Sequence, residues 1–310
     1  MQTIVHQPAT NPYDAIARAS RRARWEIDRD VIRDRAFDPT HTFLPDGLSL
    51  VDRLTELTAD ERRFLGQIQG RTYANIFGLV ERFINAKVLE LAREHVLGDQ
   101  AALEGLIRFS EEEIKHQELF RRIEALAADV MPPGYAFMAD PDDVARAVLA
   151  SSTWAVLALT LHIELFTQLH YQESIDPTPS LSPLFKDVFR FHWKEEARHA
   201  VIDEIELRRC DATLTADERD GALTDFIDLV VAVDGILRLQ AASDARYFVA
   251  TRGDDGAGSR QRAVEEGLLA AYRWQYILSG AAHPHFTKVL GELLTPAQLE
   301  RIGGALATLR

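Results

Sequence analysis

Two segments of this 310-residue chain carry the same short motif. One contains Glu113-Ile114-Lys115-His116, and the other is His192-Trp193-Lys194-Glu195-Glu196-Ala197-Arg198-His199. Both place a His three residues after a Glu, and residues three or four positions apart share one face of an α-helix. The motifs therefore predict two helices that each present a carboxylate and an imidazole side by side.

Each motif is preceded by another Glu at the same distance. Glu81 lies 32 residues before Glu113, and Glu164 lies the same 32 residues before Glu196. One Glu from each of two helices, with a Glu-x-x-His pair from each of two others, is the ligand set of dinuclear iron or manganese sites in four-helix bundles. His192, one turn before Glu196, adds a further candidate. We predict these metal ligands: Glu81, Glu113, His116, Glu164, His192, Glu196 and His199.

The charges of these residues support a pair of divalent ions. Four carboxylates among apolar residues would repel one another and would be costly to bury unpaired. Two divalent cations would offset a charge of about −4 with about +4. Cys210 is the only cysteine, so no thiolate cluster is available for zinc or iron–sulfur. We predict two Fe ions, with Mn or a mixed Mn/Fe pair as the alternative.

The helix start and stop signals predict an all-α fold, a four-helix bundle with additional N-terminal and C-terminal helices. No convincing strand–turn–strand pattern occurs. Residues 1–55 form a partly helical extension, and residues 56–310 form one domain with its core bundle in 60–210 and extra helices in 215–310. The predicted helices are 60–97, 100–128, 141–173, 183–210, 215–251 and 259–281, followed by two short ones.

Composition excludes several classes of protein. A net charge of −13 and a pI near 5.3 argue against a nucleic-acid or anionic-membrane binder. No signal-peptide core and no run of 18 apolar residues occur, so a cytoplasmic protein without a membrane segment is expected. The helices beyond the bundle are expected to cover the site or to form a homodimer interface.

Other residues near the motifs are candidates for supporting roles. Acidic residues next to the ligands are predicted to orient the histidines, with a solvated charge as the alternative: Glu112, Glu195 and Asp203. Aromatic residues one to two turns from the single Glu ligands are candidates for a substrate pocket or a redox role: Tyr73, Phe77 and Tyr171. The sequence predicts no other catalytic side chain and no organic cofactor.

The segment that ends at His199 also resembles a known family. Glu195-Glu196-Ala197-Arg198-His199 resembles the last ligand helix of ferritin-like diiron oxygenases, a form that acyl carrier protein desaturases share. With His192 added, the pattern is similar to that of the arylamine N-oxygenases, the p-aminobenzoate N-oxygenase family. Desaturases, methane-type monooxygenase hydroxylases and ribonucleotide reductase radical subunits generally lack this upstream histidine. The resemblance extends over about residues 70–210.

This resemblance implies a ferritin-like bundle and a reaction. Such enzymes react with O2 through a peroxo-diferric intermediate and oxygenate the nitrogen of a small amine, with electrons from an unidentified reductase or a ferredoxin. Two alternatives stay open. One is a diiron desaturase or hydroxylase of an acyl or small organic substrate, and the other is a non-catalytic ferritin-like metal-binding or ferroxidase protein.

Overall fold

The computed structural model describes residues 11–253 and 257–309, and no β-strand forms within these ranges. The α-helices, in chain order, are α1 Pro12–Arg22, α2 Asp46–Ser49, α3 Ala59–His95, α4 Gln100–Val130, α5 Pro141–Leu149, α6 Thr153–His170, α7 Pro183–Asp211, α8 Ala216–Arg252, α9 Ala257–Arg273, α10 Ser279–Ala281, α11 Pro284–Leu293 and α12 Pro296–Ala307. Shorter turns are the π-helical Ile27–Ile32, Tyr171–Ile175 and Trp274–Leu278 and the 3₁₀ turn Val51–Arg53. The predicted all-α fold is confirmed.

Four long helices form the central bundle as two hairpins. Helix α3 packs along α4, and α6 packs along α7. Helix α3 begins with a capping box: the Thr58 hydroxyl accepts from the backbone N–H of Glu61, whose carboxylate accepts from Thr58 in return. Ser182 caps α7 ahead of a proline at its first position. These caps set where α3 and α7 begin.

The predicted helix over 141–173 is wrong in one respect, because the chain breaks into α5 and α6. Ser152 occupies the cap position, and its backbone N–H donates to a carboxylate oxygen of Asp225 on α8 at 2.9 Å. That amide is therefore used outside the helix, and serine also competes with the helical backbone for hydrogen bonds. The break gives α5 a direction of its own.

The remaining helices cover different sides of the bundle. Helix α1 packs against α4 and α7, which carry the two Glu-x-x-His motifs. Helices α5 and α8 pack against α3 and α6, which carry the single glutamates. Residues 1–10 of the predicted extension lie outside the described residues. No helix in the described ranges combines the length and the apolar character that a membrane span requires.

Aromatic rings fill the bundle beside the polar cluster. Phe189 packs against Tyr73 at 5.0 Å and against Phe77 at 5.6 Å between ring centroids, and Phe77 continues to Phe120 at 5.5 Å. Burying each such ring stabilises the fold by about 1.5–3 kcal/mol. This layer keeps the adjacent polar side chains in a dry environment.

Candidate metal centre

The seven predicted ligands lie on the four bundle helices, and α7 supplies three of them. All are at most 2% exposed: Glu81, Glu113, His116, Glu164, His192, Glu196 and His199. Ionisable residues are rarely buried this completely unless they are paired or bind a metal. The buried face of each bundle helix thus places its polar side chains in the same part of the bundle interior.

Two overlapping groups of possible ligand atoms form there. In the first, atoms within 4.8 Å of one another come from Glu81, His116, His192 and Glu196. In the second, they come from Glu113, His116, Glu196 and His199. Because His116 and Glu196 belong to both groups, the two groups are adjacent. Neighbouring sites with shared residues are what a carboxylate-bridged pair of ions requires.

The imidazoles of α7 lie directly against carboxylates of α3, α4 and α7 itself. Nε2 of His192 is 2.9 Å from Oε1 of Glu81 and 3.0 Å from Oε1 of Glu196. Nδ1 of His199 is 3.0 Å from Oε1 of Glu113 and 3.4 Å from Oε2 of Glu196. The upstream histidine thus lies inside the cluster, next to the glutamate of α3.

Glu164 borders the cluster without belonging to either group. Burial raises its pKa well above the ordinary value, and the negative charge of Glu196 raises it further, which shows that the two carboxylates are neighbours. Its Oε2 atom is buried without a hydrogen-bond partner among the described residues.

Unpartnered polar atoms concentrate in this cluster. Within the described chain, the buried atoms without a hydrogen bond include Oε2 of Glu81, both carboxylate oxygens of Glu113, Oε1 of Glu196, and Nδ1 of His116, His192 and His199. Buried polar atoms in proteins nearly always have a partner. Carboxylate oxygen and imidazole nitrogen suit iron and manganese, so this donor set fits two such ions.

The electrostatics also indicate that the cluster needs positive charge. Burial, together with the nearby Glu81, raises the pKa of Glu113 to about 8. Burial opposes ionisation of Glu81, but hydrogen bonding with Glu113 and the charge of His116 hold the Glu81 pKa at about 2. These neighbouring carboxylates therefore do not all ionise on their own. Divalent metal ions would replace the retained protons.

The outer ring nitrogen of each Glu-x-x-His histidine donates to a glutamate of the other motif. That glutamate directly precedes a predicted ligand of its own helix. Nε2 of His116 donates to Oε2 of Glu195 at 2.8 Å, and Nε2 of His199 donates to Oε2 of Glu112, also at 2.8 Å. These bonds leave Nδ1 of each ring facing the cluster. Nδ1 of His116 lies 3.3 Å from Oε1 of Glu196.

Cations complete this exchanged arrangement. Lys115 pairs with Glu195 at 2.7 Å, and Arg198 pairs with Glu112 at 3.0 Å. Arg198 also lies 3.9 Å from Glu195, so it is near both glutamates. Each glutamate that orients a histidine is thereby held in place by a basic residue.

Sequence reasoning missed the contribution of the N-terminal extension. Ser20 on α1 donates to Glu112 at 2.7 Å, and the Trp25 ring stacks over His116 with centroids 6.1 Å apart. Lys115 lies 4.0 Å above the same indole ring. These two residues belong to no motif and are distant from the ligands in sequence, so no signal in the chain identified them.

The other predicted supporting residues differ in position. Asp203 is buried, but the outer nitrogen of His199 is taken by Glu112. The Tyr73 hydroxyl lies 2.8 Å from Nδ1 of His170. Tyr171 stacks on Trp193 at 4.9 Å and donates to Asp176.

Phe77 is the predicted pocket residue that lines a cavity. Its ring meets His192 edge-on at 5.2 Å between centroids, and its other side faces an apolar cavity of about 120 Å³.

Comparisons with known proteins agree with this site. The family model described as p-aminobenzoate N-oxygenase AurF matches residues 6–250. No curated protein matches the chain. Among solved structures, an R2-like ligand-binding oxidase with an aerobically reconstituted Mn/Fe cofactor is 14% identical, with a TM-score of 0.43, over 87% of this chain and 93% of that chain. A variant of that oxidase with an Fe/Fe cofactor is 13% identical, with a TM-score of 0.43, over 87% and 94%.

The match to the family model includes all seven predicted ligands and the four helices that carry them. It also extends into the N-terminal extension and through most of α8. Since the match spans far more than half of the sequence, the chain belongs to the p-aminobenzoate N-oxygenase AurF family.

Proposed function

We propose that this protein is a non-haem dinuclear metal oxygenase that transfers one oxygen atom from O2 to the nitrogen of an amine. The observation that carries the proposal is the pair of overlapping ligand groups inside the bundle of a chain from this family. In the reaction, one oxygen atom enters an N–H bond to give a hydroxylamine. The other leaves as water, with two electrons and two protons from an external donor.

The proposed ligands are divided between the hairpins. Glu81, Glu113 and His116 come from α3 and α4, whereas Glu164, His192, Glu196 and His199 come from α6 and α7. When bound, two reduced ions supply electrons to O2 and bind it next to the substrate. We propose two Fe ions and keep Mn or Mn/Fe as the alternative, since the similar solved structures contain Fe/Fe or Mn/Fe pairs.

The chain's own residues prepare this site in two ways. Glu112 and Glu195 fix the ring orientation of His199 and His116, so that each inner nitrogen is presented without rearrangement. The aromatic layer that includes Phe77 excludes water from the reacting groups.

The partners and the location are also proposals. We propose that a reductase or a ferredoxin supplies the electrons, that the protein acts in the cytoplasm, and that it forms a homodimer. The negative net charge of −13 is consistent with a small-molecule substrate and with the absence of a nucleic-acid partner.

A hydroxylase or desaturase reaction is the second candidate function. It is favoured by the apolar lining of the cavity beside Phe77, because such a cavity also accepts hydrocarbon groups. The two candidates differ in the atom that is oxidised. Nitrogen is oxidised in the first, and carbon in the second.

Product analysis with labelled oxygen tests the proposal. Iron-loaded protein, reduced without air, is mixed with ¹⁸O2 and aniline, and the expected product is phenylhydroxylamine that carries one labelled atom. Protein with the substitution Glu113→Ala should give no product. Oxidation of the iron with no oxygenated product from any amine would instead indicate a ferroxidase and would contradict the proposal.

A further inference from the structure

The cavity beside Phe77 lies along the two helices that carry single glutamates. Phe77 on α3 is one turn from Glu81, and Ile163 and Phe166 on α6 flank Glu164. Its other lining residues come from α5, α8 and the π turn Trp274–Leu278. The described residues of α4 and α7, which carry the Glu-x-x-His motifs, contribute none. The cavity thus approaches the cluster from the side opposite to α1, which packs against α4 and α7.

Exposure of the lining residues shows where the cavity opens. Ala147 on α5 and Ala232 on α8 are exposed, whereas Phe77, Phe166 and Leu237 are buried. The mouth therefore lies between α5 and α8, and the inner end lies against the ring that separates the cavity from His192. A small molecule that enters there reaches the layer next to the cluster.

The lining is apolar with one exception. None of the described residues that line the cavity is charged. Tyr276 is 5% exposed, lines the cavity, and has a buried hydroxyl without a hydrogen-bond partner among the described residues. It belongs to the π turn Trp274–Leu278, and such turns inside helices frequently mark functional sites. The hydroxyl itself is buried, so the surface that the cavity presents to a ligand is almost entirely apolar.

We propose that this cavity receives the substrate and that the substrate is an uncharged, largely apolar amine. This inference rests on the proposed function and specifies its substrate class. A carboxylate would be buried here without a cation, which is strongly unfavourable. A dry apolar cavity of about 150 Å³ holds a benzene ring, so the cavity of about 120 Å³ suits one ring or an alkyl group of similar size.

A larger polar cleft on the other side of α3 does not alter this inference. It is lined by Arg82 and Arg121, but Arg82 pairs with Asp142 at 2.7 Å and Arg121 pairs with Glu118 at 2.5 Å. Both guanidinium groups thus already have a carboxylate partner. The cleft therefore binds a substrate carboxylate less favourably than two unpaired arginines would.

Binding of two para-substituted anilines tests the substrate class. p-Toluidine and p-aminobenzoate differ in a methyl group against a carboxylate. Each is titrated calorimetrically into reduced, iron-loaded protein without air. We expect p-toluidine to bind at least about tenfold more tightly, because only the carboxylate must be desolvated without a partner. Equal or tighter binding of p-aminobenzoate would overturn the inference.

Two variants connect that binding to this cavity. Ala232→Trp should obstruct the mouth and weaken p-toluidine binding by about tenfold or more. Val231→Trp places the same side chain at the adjacent position of α8, which is 58% exposed and outside the lining, and should leave binding unchanged. An equal effect of the two variants, or no effect of Ala232→Trp, would assign the ligand to another place.

Failure of the inference and failure of the proposed function give different results. If p-aminobenzoate is N-oxygenated and p-toluidine neither binds nor reacts, the substrate class is wrong while the N-oxygenase assignment holds. If p-toluidine binds as expected but is oxidised at its methyl carbon, the cavity assignment holds and the N-oxygenase reaction is wrong.

Discussion

Glu195 accepts a hydrogen bond from Nε2 of His116 at 2.8 Å, although the two residues belong to different hairpins of the bundle. Glu112 and His199 make the equivalent contact in the opposite direction at 2.8 Å. The glutamate that precedes each predicted ligand thus orients the histidine of the other motif. The hairpins are thereby coupled through the proposed metal centre.

Neutralising either of these glutamates should weaken metal binding. In Glu195→Gln, the neutral amide accepts a weaker hydrogen bond from Nε2 of His116 and makes the ring a weaker donor to metal, so we expect affinity for Fe²⁺ to fall about 10–100-fold. Glu112→Gln should cause a similar loss through His199. Competition with a chromophoric chelator measures both effects. Glu111→Gln changes an exposed neighbour and serves as the control. Unchanged affinity in both test variants would contradict the orienting role.

Removal of the His192 imidazole should change the number of metal ions that bind tightly. His192 lies 2.9 Å from Glu81 and 3.0 Å from Glu196, so its removal should affect one metal position more than the other. We expect His192→Ala to bind one ion as the natural protein does and the second about tenfold or more weakly. Titration with Fe²⁺ and measurement of bound metal test this expectation. His285→Ala, at a half-exposed contact with Glu204, is the control, and a two-ion isotherm like that of the natural protein would exclude His192 as a ligand.

The bundle could be predicted from the sequence because its signals are local. The helix signals placed all four ligand-bearing helices, although α6 was predicted as one helix with α5, and capping boxes form at Thr58 and Thr215. The break before Thr153 could not be predicted, because it depends on Asp225 from a distant helix. Local rules describe one helix at a time and do not include such partners.

The site was predictable to a similar degree. The matched spacing identified residues that the fold brings together, but sequence adjacency would have paired Glu195 with its own motif. Its contact with His116 depends on how the hairpins face each other, which periodicity does not specify. Trp25 and Tyr276 carry no motif, and only the packing of the extension and of the π turn places them near the site.

A buried acid away from the metal centre predicts a pH dependence of stability. Asp244 on α8 accepts hydrogen bonds from Thr72, Tyr272 and Gln240, and burial raises its pKa from 3.8 to about 7. Between those values the folded protein holds a proton that the unfolded chain has lost. The contribution of Asp244 to stability is therefore full below about pH 4 and is lost as the pH rises through about 7.

Asp244→Asn should remove this dependence, because the amide is neutral at every pH. We expect the free energy of unfolding of the natural protein, relative to the variant, to fall between about pH 4 and 7 by at most roughly 4 kcal/mol. Urea unfolding of both proteins at several pH values gives the difference, in which other titrating groups cancel. A difference that does not vary with pH would mean that Asp244 is ionised throughout.

The close approach of Gly280 to His162 predicts opposite effects for two glycine-to-alanine substitutions. A β-carbon at Gly280 would lie 2.4 Å from Nε2 of His162, a buried ring whose Nε2 donates to the carbonyl of Ile277 at 3.0 Å. The ring cannot move without loss of that bond, so Gly280→Ala should destabilise the protein by about 1–3 kcal/mol.

Gly235 lies on an exposed face of α8 with nothing within 4 Å of the added carbon. Gly235→Ala should therefore stabilise the protein by about 0.5–1 kcal/mol, through helix propensity alone. Thermal unfolding of both variants in the same metal-loaded state compares them. No loss of stability in Gly280→Ala would show that the packing around His162 does not limit the size of the residue there. A loss in Gly235→Ala would contradict the open space at that position.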